Sequence, residues 1–367
     1  MVVYLLTLVL AMFFSRQMQL LRQGERLFEP GNGLCRACFV LACVPLAVVV
    51  ATRHYVGTDY GNYIDVYLVS SWTPYQELLE QNEPLFAILN RWCFETFQDH
   101  TPVFVICGVV TVWMVLYGIY RNSSMPWLSV FLFVTGMYYF DLFNGMRQLI
   151  ATGIMFAAYP LLKRKKWIPL LLLTIVSYNI HASAYIVLLV FLYAAYMPPR
   201  SVAPVFVLGL FASFVVLYSD FAESLVDMLY AADSLYANYE DTLMLTGQGA
   251  NILRFGLAAV PVVFSICIWP VLRRQREDVG ILWNISFFNA MFMMLATRHW
   301  LFARFCMFFG IYNVLLWPEI LKCFDRKSRQ LVLLGVVAVY FLYFWLIVHT
   351  DSNLLPYRSW LFGGVYG

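Results

Sequence analysis

The chain has 367 residues, of which 62% are hydrophobic and only 12% are charged, and its mean hydropathy is +0.72. Soluble domains carry roughly 25% charged residues, so this composition excludes a soluble protein. The net charge of +3 is too small to favour nucleic acid as a partner. Because a helical crossing of a bilayer takes roughly 20 apolar residues, the length leaves room for about a dozen crossings.

Apolar runs between charged breaks predict an all-α, polytopic membrane protein that forms one integral membrane domain over residues 1–367. We expect about twelve transmembrane helices, some of them short or broken, at 1–15, 34–51, 102–120, 126–143, 147–162, 167–180, 182–196, 202–218, 252–272, 280–297, 301–318 and 331–349. The first run has no basic segment before it and no cleavage site after it, so we expect it to remain as a helix. The uncharged stretch 167–197 fits either one long tilted helix or two short crossings.

Basic residues collect at alternate connections between these runs. Seventeen of the 24 lysines and arginines do so: Arg16, Arg22, Arg26, Arg36, Arg121, Lys163, Arg164, Lys165, Lys166, Arg200, Arg273, Arg274, Arg276, Lys322, Arg326, Lys327 and Arg329. Short loops rich in lysine and arginine stay in the cytoplasm, so both termini are predicted to face outward. A single crossing over 167–197 would put the last two basic clusters outside, which favours two crossings.

The seven remaining basic residues lie on the outward side, and all are arginine: Arg53, Arg91, Arg147, Arg254, Arg298, Arg304 and Arg358. A guanidinium group presents a planar fork of donors that matches phosphate and carboxylate, which an ammonium group does not. Charge within a membrane is costly and marks a functional site by default. Snorkelling or pairing with carboxylates would account for one or two of these arginines, and the set predicts an anion-binding outer surface.

Two outward segments are long enough to form a site. Residues 52–101 contain an apolar stripe (Leu85, Ile88, Leu89 and Trp92), which predicts a helix lying on the membrane surface. Residues 219–251 hold six carboxylates and three tyrosines without a basic residue. That composition fits a carbohydrate-contacting lid, and it equally fits an ordinary solvated loop.

Four motifs follow one another along the chain. They are Arg53 with a GTDY element (Gly57, Thr58, Asp59 and Tyr60, then Tyr63), the Asn144-x-x-Arg147-Gln148 element, the lone His181 in an apolar span, and Pro356-Tyr357. The i, i+3, i+4 spacing of the second motif predicts one polar helical face that suits pyrophosphate or sugar oxygens. Asp59 and His181 are the candidates for the general base, and Asp59 is ranked slightly above His181. Asp59 could instead cap a turn, and His181 could be a hydrogen-bonded packing residue.

These motifs resemble those of the EpsG family, which is similar to the Wzy-type O-antigen polymerases, over nearly the whole chain. The resemblance implies a membrane glycosyltransferase, with a GT-C-like architecture, at the periplasmic face of the bacterial inner membrane. Such an enzyme would join oligosaccharide repeat units carried on undecaprenyl pyrophosphate. Membrane lipid and a chain-length regulator are the other partners we expect.

The implied reaction requires a base and a cationic clamp for the departing pyrophosphate. The base candidates are Asp59 and His181, and the expected binding set is Arg53, Tyr60, Asn144, Arg147, Gln148, Arg254, Arg298, Arg304 and Tyr357. The sequence has no DxD pair, so we expect neither a metal ion nor a cofactor. A flippase for lipid-linked oligosaccharides, an O-antigen ligase and a membrane acyltransferase remain alternatives. A flippase would show internal repeats and charges in the helix middles, whereas a ligase would use nearly the same residues.

Overall fold

A computed structural model of the chain describes residues 1–22, 32–218, 249–299, 301–350 and 353–361. Within these ranges the protein is all-helical, as predicted, and its only extended pairing is an isolated bridge between Arg53 and Ser359. Backbone contacts divide the chain into two compact units. The first comprises Met1–Leu189 and Phe324–Gly367, and the second comprises Val190–Cys323.

The first unit is built around a row of packed helices. Its helices are α1 (Val2–Leu21), α2 (Gly33–Thr52), α3 (Tyr60–Trp72), α4 (Tyr75–Leu79), α5 (Pro84–Phe97), α6 (Thr101–Asn122), α7 (Pro126–Thr135), α8 (Asp141–Asn144), α9 (Met146–Ala157), α10 (Tyr159–Lys163), α11 (Trp167–Ile180) and the C-terminal helix Arg326–Thr350. Helix α1 packs on α2, α2 on α6, α6 on α9 and α9 on α11. Gly108 allows the close approach of α6 to α2, because a Cβ atom there would lie 2.7 Å from Val50 Cγ1.

The second unit has a central helix with the others around it. Helix α12 (Tyr185–Tyr196) ends in this unit, and α13 (Val202–Leu217), α14 (Ile252–Gln275), α15 (Val279–Ala296), α16 (Leu301–Phe309) and α17 (Asn313–Lys322) follow it. Helix α15 contacts α13, α14, α16 and α17. Where α14 meets α15, Arg276 binds both Asp278 oxygens (2.7 and 2.9 Å) and Glu319 of α17 (3.0 Å). Lys322 lies 3.2 Å from the other Glu319 oxygen, so the arginine and the lysine together supply the counter-charge that the buried Glu319 requires.

Seven helices in the described residues are long and apolar enough to cross a membrane, and they make the protein membrane-embedded. They are Val2–Leu21, Gly33–Thr52, Thr101–Asn122, Ile252–Gln275, Val279–Ala296, Leu301–Lys322, which contains one 3-10 turn, and Arg326–Thr350. Four shorter apolar helices lie over Pro126–Thr135, Trp167–Ile180, Ala182–Tyr196 and Val202–Leu217. The C-terminal helix Arg326–Thr350 is called α18 below.

Two of the predicted membrane helices end early. The first helix in the run 126–143 ends at Thr135, because Met137 adopts a left-handed backbone (φ 71°) that an α-helix cannot continue through, and helix resumes only in the short α8 at Asp141. The run 147–162 divides after Ala157, and Pro160 lies in the first turn of the next helix, where a missing N–H costs nothing.

The uncharged stretch 167–197 breaks at the position that the two-helix interpretation expects. Helix α11 ends at Ile180, and His181 is extended (φ −151°, ψ 115°). A 3-10 turn over Ala182–Ala184 then leads into α12. The break exposes backbone N–H groups that must find partners outside the helix, since no water is present in a hydrocarbon core.

The segment 52–101 folds onto the first unit as α3, α4 and α5. Helix α5 packs on α3 and α11, and it buries Phe86, Ala87 and Cys93. Leu85 and Trp92 of the predicted apolar stripe remain 42% and 45% exposed. Ile88 and Leu89 are partly buried, and the position of this helix on a membrane surface stays a prediction. Nearly all of the second outward segment, residues 219–248 of 219–251, lies outside the described residues.

Candidate functional site

Glu83 lies at the centre of a buried, charged site in the described part of the first unit. It is the residue before Pro84, where α5 begins, and it is 5% exposed. Its side chain does not cap its own helix. The carboxylate instead points to the break that follows α11, because α5 packs against α11 there.

Three groups from two other elements bind this carboxylate. The Nδ1 atom of His181 lies 2.6 Å from Oε1, and the backbone N–H of Ala182 donates to the same oxygen at 3.1 Å. Arg147 Nη1 donates to Oε2. Glu83 therefore satisfies a backbone donor that the helix break exposes, and it joins two motifs that lie 64 and 98 residues away in the chain. We call Glu83, Arg147 and His181 the Glu83 cluster.

The cluster holds Glu83 in its charged form. Burial by itself would raise the pKa of this carboxyl, but the charge of Arg147 and the hydrogen bond from His181 lower the pKa to about 2. An ionised carboxylate can only accept, so the proton between the two residues belongs to His181 Nδ1. When the ring is neutral, its lone pair is then on Nε2.

The acid stability of the protein should reflect this lowered pKa. A depressed carboxyl pKa contributes stability above the unfolded-state value, and that contribution is lost as the pH falls through the folded-state value. Between about pH 4.5 and pH 2 the wild-type protein should therefore lose melting temperature relative to Glu83→Gln. Thermal unfolding of both proteins in detergent would measure this. If the difference in melting temperature between the two proteins stayed constant across this pH range, the assignment of the charge to Glu83 would be contradicted.

The GTDY element rests on the Asn144 motif. The N–H of Thr58 donates to Asn144 Oδ1 at 2.8 Å, and the Tyr63 hydroxyl donates to the Asn144 carbonyl at 3.2 Å. Asn144 ends α8, and Arg147 lies in the first turn of α9. The structure thus brings together two motifs that are 86 residues apart.

The prediction of one polar helical face over Asn144, Arg147 and Gln148 is wrong. Gly145 separates α8 from α9, with a backbone (φ −112°, ψ 47°) that is not helical. Gln148 is 3% exposed and points into the protein, whereas the Arg147 side chain remains 20% exposed. The i, i+3, i+4 argument fails because it assumes an unbroken helix.

Gly57 permits the close contact between the GTDY element and Asn144. Its φ of 95° favours glycine, and a Cβ atom would lie 2.8 Å from both Asn144 Oδ1 and the Phe143 carbonyl oxygen. We expect Gly57→Ala to lower the melting temperature by several degrees, since strained backbone and a clash both oppose it. Gly61→Ala is the matched control for stability, because its Cβ atom would enter open space. Equal melting temperatures for the two variants would show that the loop adapts freely.

Arg53 is buried under aromatic rings. It is fully buried, and its guanidinium carbon lies 4.7 Å from the ring centroid of Phe143, 5.4 Å from Phe104 and 5.8 Å from Tyr60. Among the described residues, none of its three side-chain nitrogens has a hydrogen-bond partner. The ring faces stabilise the cation, and they place an uncompensated positive charge directly behind Tyr60.

The C-terminal segment holds the loop that carries Arg53. The His54 N–H donates to the Arg358 carbonyl at 2.9 Å, and the Gly57 N–H donates to the Asn353 carbonyl at 3.0 Å. Tyr357 contributes to packing, since its hydroxyl donates to the Val49 carbonyl at 3.0 Å. The motif Pro356-Tyr357, although it lies near the other end of the sequence, is therefore close to the GTDY element in space.

The remaining predicted site residues occupy separate positions. Asp59 precedes α3 and accepts a hydrogen bond from the Thr58 hydroxyl at 3.2 Å. Arg254, Arg298 and Arg304 belong to the second unit. Arg298 donates to the Leu217 carbonyl, whereas Arg254 lies in the first turn of α14 and Arg304 in α16.

Sequence reasoning missed Glu83. The signal available was a carboxylate directly before proline at the start of an apolar stretch, EPLFAIL, where a charge is costly. Nothing in the sequence indicates that its partners are Arg147 and His181. Among the described residues, no group of three histidine, cysteine, aspartate or glutamate side chains is arranged to hold a metal ion.

Comparisons with known proteins agree with the resemblance of the motifs. No curated protein and no solved structure matches the chain significantly. The sequence matches the EpsG family over residues 36–359, a range that includes the GTDY element, the Glu83 cluster and Tyr357. Because this match covers most of the chain, the protein belongs to the EpsG family, which is associated with polysaccharide polymerase-like membrane proteins.

Proposed function

We propose that this protein is an inner-membrane polysaccharide polymerase that joins oligosaccharide repeat units carried on undecaprenyl pyrophosphate. The observation that carries the proposal is the Glu83 cluster, in which one buried carboxylate orients a histidine and an arginine. A carboxylate that fixes the tautomer of a histidine is a recurring way to prepare a general base. Within this proposal Glu83 is a positioning residue, and His181 is the catalytic base.

The proposed step is a transfer at an anomeric carbon. A hydroxyl oxygen of the acceptor sugar bonds to the anomeric carbon of the donor glycan. The bond from that carbon to the phosphate oxygen breaks, and the lipid pyrophosphate leaves with the electron pair. The hydroxyl proton passes to His181 Nε2. Because Glu83 is ionised, it stabilises the imidazolium that forms.

Arg147 supplies the charge stabilisation in this scheme. Its guanidinium has five donors, so contact with Glu83 does not use up its hydrogen-bonding capacity. A cation that is already held in place stabilises a leaving pyrophosphate without reorganising during the reaction. Arg254, Arg298 and Arg304 belong to the second unit, and they are proposed as anion-binding residues in their own right.

His181 is favoured over Asp59 as the base, which reverses the order suggested by the sequence. His181 is 4% exposed and bound to an ionised carboxylate. Asp59 is half-exposed at the beginning of α3. Water competes less for a buried base whose side chain is held by a hydrogen bond than for a base at a solvent-accessible helix terminus.

The proposal includes an orientation, with about twelve crossings in a GT-C-like arrangement and the Glu83 cluster facing the periplasm. It rests on the 17 basic residues at alternate connections. In a background without native cysteines, an impermeant thiol reagent should label Gln81→Cys in intact cells and Lys165→Cys only after lysis. The reverse pattern would overturn the orientation.

Reconstitution tests the activity. Purified protein in liposomes would be supplied with a synthetic undecaprenyl-pyrophosphate repeat unit and excess chelator, and products would be separated by length. A ladder of glycans that remain on the lipid supports a polymerase without a metal requirement. Movement of the unit across the bilayer without growth would indicate a flippase, and transfer only to an added lipid A core would indicate a ligase. Growth that needs restored magnesium would contradict the metal-free scheme.

A further inference from the structure

A polar pocket of about 320 Å³ lies between the GTDY element and the C-terminal segment, apart from the Glu83 cluster. Its walls include Tyr55, Thr58, Tyr60, Gly61, Asn353 and Arg358. We infer that this pocket binds a sugar ring that carries an anionic group. We call it the GTDY pocket. Its volume is at the lower end of the range for ligand sites, which suits a single ring better than a whole repeat unit.

The lining of the GTDY pocket carries a positive charge. Arg358 is the only charged side chain among its described lining residues. The buried guanidinium of Arg53 lies behind one wall, 5.8 Å from the ring centroid of Tyr60. Charges interact strongly across a low-dielectric wall, so Arg53 adds to the potential without contacting a ligand. Asp59 lies next to Thr58 and Tyr60 but does not line the cavity, so the charge that a ligand would meet directly is that of Arg358, which favours an anionic ligand over a neutral one.

The walls also offer what a sugar ring needs. Tyr55 is 52% exposed and offers an aromatic ring, and the buried Tyr60 supports it from behind with ring centroids 4.9 Å apart. Thr58 and Asn353 supply a hydroxyl and an amide that can both donate and accept, as sugar hydroxyls do. A bare phosphate ion would use the arginine and leave the aromatic surface without a function.

Backbone strain is concentrated at this pocket. Tyr55 has φ 50° and Asn353 has φ 49°; the left-handed conformation costs free energy for the tyrosine, whereas asparagine tolerates it. Both residues line the cavity. Strain of this kind persists where the surrounding structure holds a residue in place for a purpose.

The role of the pocket in catalysis rests on the proposed function. Thr58 in its wall is hydrogen-bonded to Asn144, which precedes Arg147 by three residues. An anionic sugar held there would be either an acidic sugar within a repeat unit or the sugar-phosphate end of the donor. Both share a ring with an attached anion, and two probes separate them: methyl glucuronide carries the charge as a carboxylate, and glucose 1-phosphate carries it at the anomeric position.

Saturation-transfer NMR on the purified full-length protein in nanodiscs would test the inference. The probes are methyl glucuronide, glucose 1-phosphate, neutral methyl glucoside and inorganic phosphate. We expect one of the two anionic sugars to bind, with the neutral sugar roughly tenfold weaker because a charge-assisted hydrogen bond is missing. Arg358→Gln should remove that preference. A preference for the glucuronide would assign the pocket to an acidic sugar of the glycan, and a preference for the phosphate would assign it to the donor.

Gly61→Trp should block the pocket, because its Cβ atom points into open space and the ring can enter the cavity. The size-matched control is Gly335→Trp in α18, whose Cβ atom also meets no atom within 4 Å. Binding that is lost in the first variant and kept in the second supports the inference. Binding that survives Gly61→Trp would overturn it, and so would equal binding of neutral and anionic sugars. Full displacement by inorganic phosphate would also overturn it, since the site would then recognise only the anion.

The two proposals can fail separately. If the anionic sugar binds but reconstituted wild-type protein makes no glycan ladder, the sugar-binding role of the pocket is supported and the polymerase assignment is contradicted. If Gly61→Trp leaves both binding and the ladder unchanged while His181→Ala removes the ladder, the polymerase assignment stands and the pocket falls.

Discussion

Glu83→Gln is expected to remove polymer formation almost completely. Glutamine keeps the shape of the side chain but loses the charge, so the Nδ1 proton of His181 is no longer fixed by an ionised acceptor. General-base contributions and the equivalent change in serine proteases indicate a loss of about 10²- to 10⁴-fold in turnover. The measurement is the rate of chain growth by reconstituted protein.

The same variant should also be less stable. Breaking a buried ion pair costs about 3–5 kcal/mol, and the lower end applies because the Arg147 side chain keeps some contact with solvent. Glu83→Asp retains the charge and should recover part of both losses. Glu80→Gln, an exposed glutamate in the same loop, is the matched control and should behave as wild type. Wild-type rates from Glu83→Gln would end the proposal that Glu83 positions the base.

Arg147→Lys is expected to separate stability from activity. Lysine keeps the positive charge beside Glu83, so the protein should fold and reach the membrane at near-normal levels. It loses the planar fork that binds a pyrophosphate at two points. Removing one such donor costs about 10²- to 10³-fold in turnover in a well-studied enzyme. We therefore expect little or no long-chain product on a length-resolved gel.

Two further variants sharpen this test. Arg147→Ala should lose both stability and product, because it leaves the buried Glu83 without its cation. Arg91→Lys affects a surface pair with Glu95 and should leave the product ladder unchanged. If Arg147 served only as the counter-ion of Glu83, lysine would replace it with the full ladder intact. That result would move the proposed clamp to Arg298 and Arg304.

The helical fold could be predicted because hydrophobic length is a local property. Runs such as 34–51, 102–120 and 331–349 correspond to the helices Gly33–Thr52, Thr101–Asn122 and Arg326–Thr350. Errors arose where an apolar run continues through a backbone that cannot remain helical, as at Met137. Hydropathy does not register a left-handed residue, so the end of α7 at Thr135 was missed.

The sequence by itself determined the membrane class and the family, and it also indicated candidate site residues, because each charged residue in an apolar chain is costly and therefore conspicuous. Arg147 and His181 were identified in this way. Only the tertiary structure decided what they contact: Glu83 becomes their common partner because α5 packs on α11 at the His181 break. The GTDY pocket likewise depends on residues 353–358 folding back on residues 54–57. Such pairings are set by packing between distant segments, and no local pattern of residues carries that information.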